Sequence, residues 1–499
     1  MAPPCAIVIF GSTGDLTQRK LLPALFELAR HGRMPDRCAL VGFARGETDD
    51  AAMRARMRQA AAEAVGPGGL DGAAWERFST TLHACPGAYD DPASFARLKA
   101  TLDRLDVEHG TQGNRLFYLA IPPSSYAPVV RNLGAAGLVP RGSGRAATGW
   151  TRVIIEKPFG HDLASATALN TEISGALSED QIYRIDHYLG KETVQNIIVL
   201  RFGNGIFEPI WNRRYVDRVQ ITMAETIGIG SRGRFYEEAG AMRDIVQNHL
   251  LQVMALVAME PPVSFDADTV RDEKAKVFKA IRPIPLEEVD RHAVRAQYGP
   301  GTVGGAAATG YRGESNVAPD SVTETYVALR LMVDSWRWAG VPFYLRTGKR
   351  MPKTLTEVAI RFTRIPHLLF RDLPEEQQRP NELVLRLQPD EGISLSFGAK
   401  VPGADLEIRP VTMDFSYAKS FGAEPTPAYE RLILDAMKGD ASLFIRADGV
   451  RETWSVVQPI LDAWAARGKA PIPVYPAGSW GPAEADDLMA RDHRRWRNT

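Results

Sequence analysis

Apolar residues follow two different rhythms along the chain. Over its first part they come as short unbroken runs, CAIVIF (5–10), CALVGFAR (38–45), RLFYLAI (115–121) and the start of TRVIIEKPFG (151–160), parted by segments with Leu, Ala and Arg at helical spacing. Such runs predict strands buried on both faces, and strands alternating with helices predict a parallel, doubly wound sheet. The helix expected after the first run, LTQRKLLPALFELAR, holds Pro23. Proline lacks a backbone donor, so this helix should kink there or begin its regular part late. From about residue 184 the rhythm changes. RVQITMAET, TETYVALRLMV, TEVAIRF, ELVLRLQ and GISLSFGAK are closely spaced, and many alternate apolar with polar residues. That is the pattern of an antiparallel sheet with one wet face. A long apolar helix, about 238–259, interrupts them. The glycine-rich stretch 299–310, GPGTVGGAAATG, reads as a mobile surface loop inside that region, since similar strand-like sequence lies beyond it. The pattern predicts an α/β domain over 1–184 and a larger domain over 185–499 built on a mainly antiparallel sheet.

Length agrees with two domains, because 499 residues exceed what one hydrophobic core usually organises. Charge changes the picture more. Sixty basic and sixty acidic side chains cancel, so no global field draws nucleic acid or an anionic membrane, and any anion site must be a local cluster. Cys5, Cys38 and Cys85 are odd in number and lack metal-ligand spacing, which favours a reducing cytoplasm and argues against a disulfide framework or zinc site. The N-terminal segment MAPPCAIVIFGSTGD has no basic start and too short an apolar run for a signal peptide, and LLQVMALVAM (250–259) is too short to span a bilayer. A cytoplasmic protein with neither nucleic-acid nor membrane partners is the expectation.

Candidate chemistry begins at the first strand end. GSTGDL (11–16) lies between strand and helix, where glycines let backbone amides approach a pyrophosphate; the turn keeps Gly11 and Gly14 of the dinucleotide pattern but has Ser12 and Thr17 at other small positions. The second strand ends on Arg45, where an NAD site would carry an acid; arginine suits a 2′-phosphate. Lys157 and Pro158 stand at another strand end, and a Lys-Pro bond there is a candidate for the cis form. In RIDHYLGKE (184–192), His187 and Lys191 are four apart and would share a helical face, offering donors to a phosphate. His249 lies on the apolar helix; Asp244, five residues earlier, would stand about 140° away on an ideal α-helix. Each has an ordinary alternative: a tight turn, a solvated arginine, a surface Lys-Pro turn, a salt-bridged helix face, a core histidine.

Taken together, GSTGDLTQRKLLP, EKPFG, RIDHYLGKE, AETIGIGSRGRFYEEAGAMRDIVQNHLLQ, GYRGESNVAPDSVTETYVAL and PFYLRTGKRM resemble the glucose-6-phosphate dehydrogenase family, in its order and spacing over nearly the whole chain. The resemblance implies an N-terminal Rossmann-like domain beside a larger antiparallel-sheet domain. It also implies oxidation of D-glucose 6-phosphate at C1 to 6-phospho-D-glucono-1,5-lactone, the first oxidative step of the pentose phosphate pathway, with NADP as cofactor and NAD as a weaker alternative. No metal is implied, and a homodimer or homotetramer is. Carried over by position, the cofactor would lie on Gly11, Ser12, Thr13, Gly14, Asp15, Leu16, Thr17 and Gln18, with Arg45 at its 2′-phosphate. Lys20 and Lys157 would face both cofactor and sugar. His187, Tyr188 and Lys191 would bind the substrate phosphate, while Glu225, Asp244 and Lys349 would contact the sugar or its phosphate. Asp186 would pair with His249, the general base. Two departures stand out: Thr17 where alanine is usual, and Thr354 where many members carry a second cation, which leaves Lys353, one place earlier, as the candidate for that phosphate contact.

Overall fold

A computed structural model describes residues 2–46, 49–65, 69–140, 149–365, 379–403, 407–422 and 426–498. The chain divides into two compact units: Met1–Glu192 with Pro262–Asp272 and Thr426–Arg451, and Thr193–Pro261 with Glu273–Pro425 and Glu452–Thr499.

In the first unit, β1 (Cys5–Phe10), β2 (Cys38–Ala44), β3 (Leu82–Pro86), β4 (Arg115–Leu119), β5 (Thr151–Ile155) and β6 (Ile182–Arg184) form one sheet in the order β3-β2-β1-β4-β5-β6, with every neighbouring pair parallel. All residues of β1 and β2 are buried, which is why they read as unbroken apolar runs. The order reverses between β1 and β4, so the carboxyl ends of the strands there form the crevice where folds of this kind take ligands. The expected delay at Pro23 is present: a π-helical turn, Thr17–Leu21, precedes the α-helix Leu22–Arg30, whose first turn accommodates the proline.

The second unit carries β7 (Val216–Ala224), β8 (Ala293–Gly299), β9 (Gly301–Val303), β10 (Ala306–Ala308), β11 (Tyr326–Met332), β12 (Pro342–Gly348), β13 (Leu355–Phe362), β14 (Glu382–Gln388), β15 (Gly392–Lys400), β16 (Ile408–Ser416) and β17 (Val474–Pro476). Nine of them form a sheet in the order β16-β15-β14-β13-β7-β12-β11-β8-β17. It is mainly antiparallel, with β12 parallel to β7 and β17 parallel to β8. The glycine-rich stretch is not a plain loop. β9 and β10 pair antiparallel across Gly304 and Gly305, whose φ values of 58° and 83° suit a two-residue hairpin turn that requires both central residues in the left-handed region.

The long apolar helix is broken into Gly233–Ala241, a π-helix Met242–Leu250 and an α-helix Leu251–Ala258. Gly240, at φ 62°, marks the break. All eight residues of the last piece are buried, which accounts for its being apolar all round save for Gln252.

Candidate active site

The glycine turn of the first unit is built by close backbone approach. Gly11 has φ 83°, and a Cβ there would lie 2.2 Å from the Ala120 carbonyl oxygen, so only glycine fits. The Gly14 amide donates to the Gly11 carbonyl at 2.9 Å, and the buried Thr17 hydroxyl donates to the same oxygen at 2.9 Å. Thr17 thus ties the first helical turn to the loop, and its extra atoms face inward. Ser12 is buried, whereas Thr13, Asp15 and Lys20 are exposed. Gly14, Leu16 and Gln18 are half-buried, and Gln18 closes the turn by donating from Nε2 to the Thr13 carbonyl at 2.9 Å.

Arg45 follows β2, exposed, with its guanidinium carbon 5.9 Å from the centroid of the Tyr89 ring. Tyr89 links two parts of this crevice. Burial raises its hydroxyl pKa, while Arg45 and the Gly11 backbone amide act in the opposite direction.

Lys157 follows β5, half-buried, and its bond to Pro158 is cis. Three residues after Arg184 the sequence 187–190 is a turn, and the helix begins at Glu192. The expected helical face of His187 and Lys191 is therefore absent. The Leu189 and Lys191 amides instead donate to the carbonyls of Asp186 and Tyr188, at 3.0 and 3.1 Å, and the Tyr188 amide donates to Asp186 Oδ1 at 2.9 Å. Two overlapping turns explain the four-residue spacing as well as a helix would. Lys191 Nζ lies 3.9 Å above the Tyr188 ring, and the His187 and Tyr188 rings are 5.2 Å apart. Asp186 is buried; His187, Tyr188 and Lys191 are half-buried. Gly190 permits the turn, since a Cβ would meet the Ala428 carbonyl oxygen at 2.8 Å.

In the second unit, Glu225 and Lys349 follow the parallel neighbours β7 and β12, and the Glu225 amide donates to the Gly348 carbonyl at 3.0 Å. The shared strand register sets their side chains together, and Lys349 Nζ forms an ion pair with Glu225. Lys349 is only 2% exposed. Burying an ammonium without such a partner would cost several kcal/mol, and the ion pair with Glu225 offsets that cost. Tyr236 lies beside them, its ring 5.8 Å from Lys349 Nζ. Burial, then the carboxylates of Asp244, Glu324 and Glu225, push its hydroxyl pKa well up. Glu225, Asp244 and Lys349 are thus gathered around one phenol.

Asp244 and His249 both lie on the π-helix. Its ladder runs from i to i+5, so residues five apart stack, and the 140° separation of an α-helix does not apply. His249 is 1% exposed, and its amide donates to Asn248 Oδ1 at 2.6 Å. Thr354 is exposed and its hydroxyl engages Thr226, with the two Oγ1 atoms 3.0 Å apart; Lys353 is half-buried in the preceding bend.

Residues 8–196 match the family model for the glucose-6-phosphate dehydrogenase NAD binding domain, and residues 198–497 match that for the C-terminal domain. The chain belongs to the glucose-6-phosphate dehydrogenase family. It is 49% identical over 497 residues to the glucose-6-phosphate 1-dehydrogenase of Aggregatibacter actinomycetemcomitans, covering 99% of this chain and 98% of that one. The enzyme of the same name from Bacillus subtilis (strain 168) is 43% identical over 496 residues, 99% of each chain. Among solved structures, a glucose-6-phosphate dehydrogenase in complex with its substrate glucose-6-phosphate superposes with a TM-score of 0.89 at 36% identity, covering 100% of this chain and 99% of that one. The glucose-6-phosphate 1-dehydrogenase of Mycobacterium avium gives 0.82 at 39% identity, with 99% of each chain covered. Membership of the glucose-6-phosphate dehydrogenase family makes the chain an oxidoreductase acting on a CH–OH group. No helix among the described residues is long and apolar enough to cross a membrane.

Four further residues join these clusters without any sign in their own spacing: Tyr89, Tyr429 and, within the EKPFG and GYRGESNVAPDSVTETYVAL motifs, Glu156 and Glu324. The first could have been noticed as an aromatic just beyond a strand end, PGAYDD, had β3 been recognised. Glu156 sits inside a quoted motif, but only the fold shows that its carboxylate is buried and accepts from the Tyr118 hydroxyl at 2.6 Å.

Proposed function

We propose that the protein oxidises D-glucose 6-phosphate at C1 to 6-phospho-D-glucono-1,5-lactone, with NADP preferred and NAD a weaker alternative, as the first oxidative step of the pentose phosphate pathway. The observation that supports the substrate is the turn 186–191, which gathers His187, Tyr188 and Lys191 in one short segment, side chains whose donors suit a phosphate. A neutral sugar would need no such group. The glycine turn fits a dinucleotide: Gly11 leaves the backbone bare beside Ala120, and Gly14 precedes a helix start. Arg45 suits a 2′-phosphate, which favours NADP.

When bound, NADP supplies the hydride acceptor. His249 takes the proton of the C1 hydroxyl as hydride leaves C1, and Asp186 orients the imidazole and stabilises its protonated form. Glu225, Asp244 and Lys349 hold the sugar or its phosphate. Lys20 and Lys157 serve cofactor and sugar together, and Lys353 takes the remaining phosphate contact. A homodimer or homotetramer in the cytoplasm is the working state. In support of self-association, the edge strand β16 exposes Met413 at 62% and Val411 at 39%.

Initial rates followed at 340 nm with NADP and NAD, and with glucose 6-phosphate and glucose, test the reading. Fast turnover is expected only with glucose 6-phosphate, and at lower NADP than NAD. Equal rates with free glucose would remove the phosphate assignment.

A further inference from the structure

Glu156, the residue before Lys157, is buried within the first unit, and it holds three tyrosines. Its carboxylate accepts from Tyr118 at 2.6 Å, its backbone carbonyl accepts from Tyr126 at 2.8 Å, and the Tyr429 hydroxyl is a further partner of the carboxylate. Burial raises the Glu156 pKa, and the surrounding donors pull the other way, so these hydroxyls offset part of the cost of enclosing an anion. Tyr429 has a second contact. Its ring lies nearly parallel to the His187 ring, at 8° and 6.3 Å between centroids. It belongs to the first turn of the helix Ala428–Lys438, on which Gly190 also rests.

We infer that Tyr429 is a positioning residue for the phosphate-binding turn: its ring sets the plane of His187, and its hydroxyl ties that ring to the Glu156 carboxylate at the foot of Lys157. The inference rests on the reading of His187 as a phosphate donor. An imidazole must point a ring nitrogen at a phosphate oxygen to donate to it, and a face held flat by a neighbouring ring cannot turn away. The Tyr188 ring also abuts His187, at 5.2 Å, but it is tilted by 55° and does not hold the imidazole flat. The tie to Glu156 fixes the phenol itself, because that carboxylate is held in turn by Tyr118 and gives the Tyr429 hydroxyl a rigid partner.

The test is a double-mutant cycle of His187→Ala and Tyr429→Leu, read as KM and kcat for glucose 6-phosphate and for free glucose. Tyr429→Leu should raise KM for glucose 6-phosphate about tenfold, the scale of one hydrogen bond to a charged group, with kcat changed less than about twofold and glucose use unaffected. In the His187→Ala background it should add nothing. Tyr429→Phe keeps the ring and loses the tie, and should raise KM only about threefold; it also serves if the leucine variant does not fold. Additive losses, equal losses for both sugars, or no effect of either Tyr429 variant while His187→Ala weakens glucose 6-phosphate use would overturn the inference and leave the phosphate site standing. If His187→Ala itself spares glucose 6-phosphate, the phosphate reading fails and Tyr429 has nothing to position.

Discussion

Two buried carboxylates, one in each unit, hold the segments that carry the proposed chemistry, and they do so by different means. Glu156 is held mainly by side chains, the phenols of Tyr118 and Tyr429, with the Lys157 amide as a lesser donor. Glu324 is held by backbone: its carboxylate accepts from the Met242 amide at 3.0 Å, and its carbonyl accepts from the Ala241 amide at 2.9 Å. Gly240 leaves room for it, since a Cβ there would lie 2.4 Å from Glu324 Oε1. Burial raises the pKa of both acids. Glu156 anchors rings, which can be exchanged one at a time; Glu324 anchors the start of the π-helix that bears Asp244 and His249, where the helix dipole favours an anion. The proposed phosphate-binding turn can therefore be tuned by side-chain replacement, while the proposed base is set by main-chain geometry.

The sharpest way to break this contrast is at the base itself. His249→Asn should keep its thermal midpoint and substrate affinity yet lose roughly 10²- to 10⁴-fold in kcat, with the acidic limb of the kcat/KM profile gone or moved. Full activity, or a loss matched by a lowered midpoint, would return His249 to the core. On the side-chain-anchored turn, Lys191→Ala should lower kcat/KM for glucose 6-phosphate by about ten- to a hundredfold, the range for a hydrogen bond between charged groups, and leave slow glucose turnover nearly as it was. Equal damage to both sugars would show that the turn shapes the whole site. Arg45 touches neither anchor and is exposed, so Arg45→Ala should raise KM for NADP about tenfold and spare that for NAD; parallel changes with both cofactors would place it elsewhere.

The smallest effect concerns the anchors directly. A carboxyl whose folded pKa lies above its unfolded value contributes stability that is full below the unfolded pKa and is lost as pH rises through the folded one. Both Glu156 and Glu324 are raised from 4.5, so unfolded chains release these protons first. Glutamine at either position does not titrate. The melting-temperature deficit of Glu156→Gln and of Glu324→Gln should therefore be largest near pH 4 and narrow as pH rises above it. Thermal melts from pH 4 to 8 check this, and a deficit that widens with pH would mean the carboxylates are stabilised as anions in the fold.

Much of this architecture was legible where local sequence and tertiary burial agree. The four long apolar runs became β1, β2, β4 and β5 because strands covered on both faces need no polar side chains. β3, LHACP, carries a histidine, a cysteine and a proline and shows no run, and β6 is three residues inside a motif. The hairpin of β9 and β10 hid behind glycines and alanines, which have little strand preference of their own. The four-residue spacing of His187 and Lys191 fits two overlapping turns as well as a helix, so spacing alone does not separate them. Glu156, Glu324 and Tyr429 acquire their roles from neighbours distant in sequence, so no local pattern announces them.

The π-helix Met242–Leu250 has a further consequence when the chain is considered as a string that can gain or lose letters. A helical turn closed from i to i+5 contains one more residue than an α-turn, so it behaves as an insertion stored within a helix. Deleting a single residue between Asp244 and His249 would let the segment rewind as ordinary α-helix, with the two residues four apart and still on one face, about 40° around the axis. Substitutions can alter what stands at either position, but removal of one residue would keep both on one face, so this segment should tolerate a one-residue deletion better than a regular α-helical stretch does.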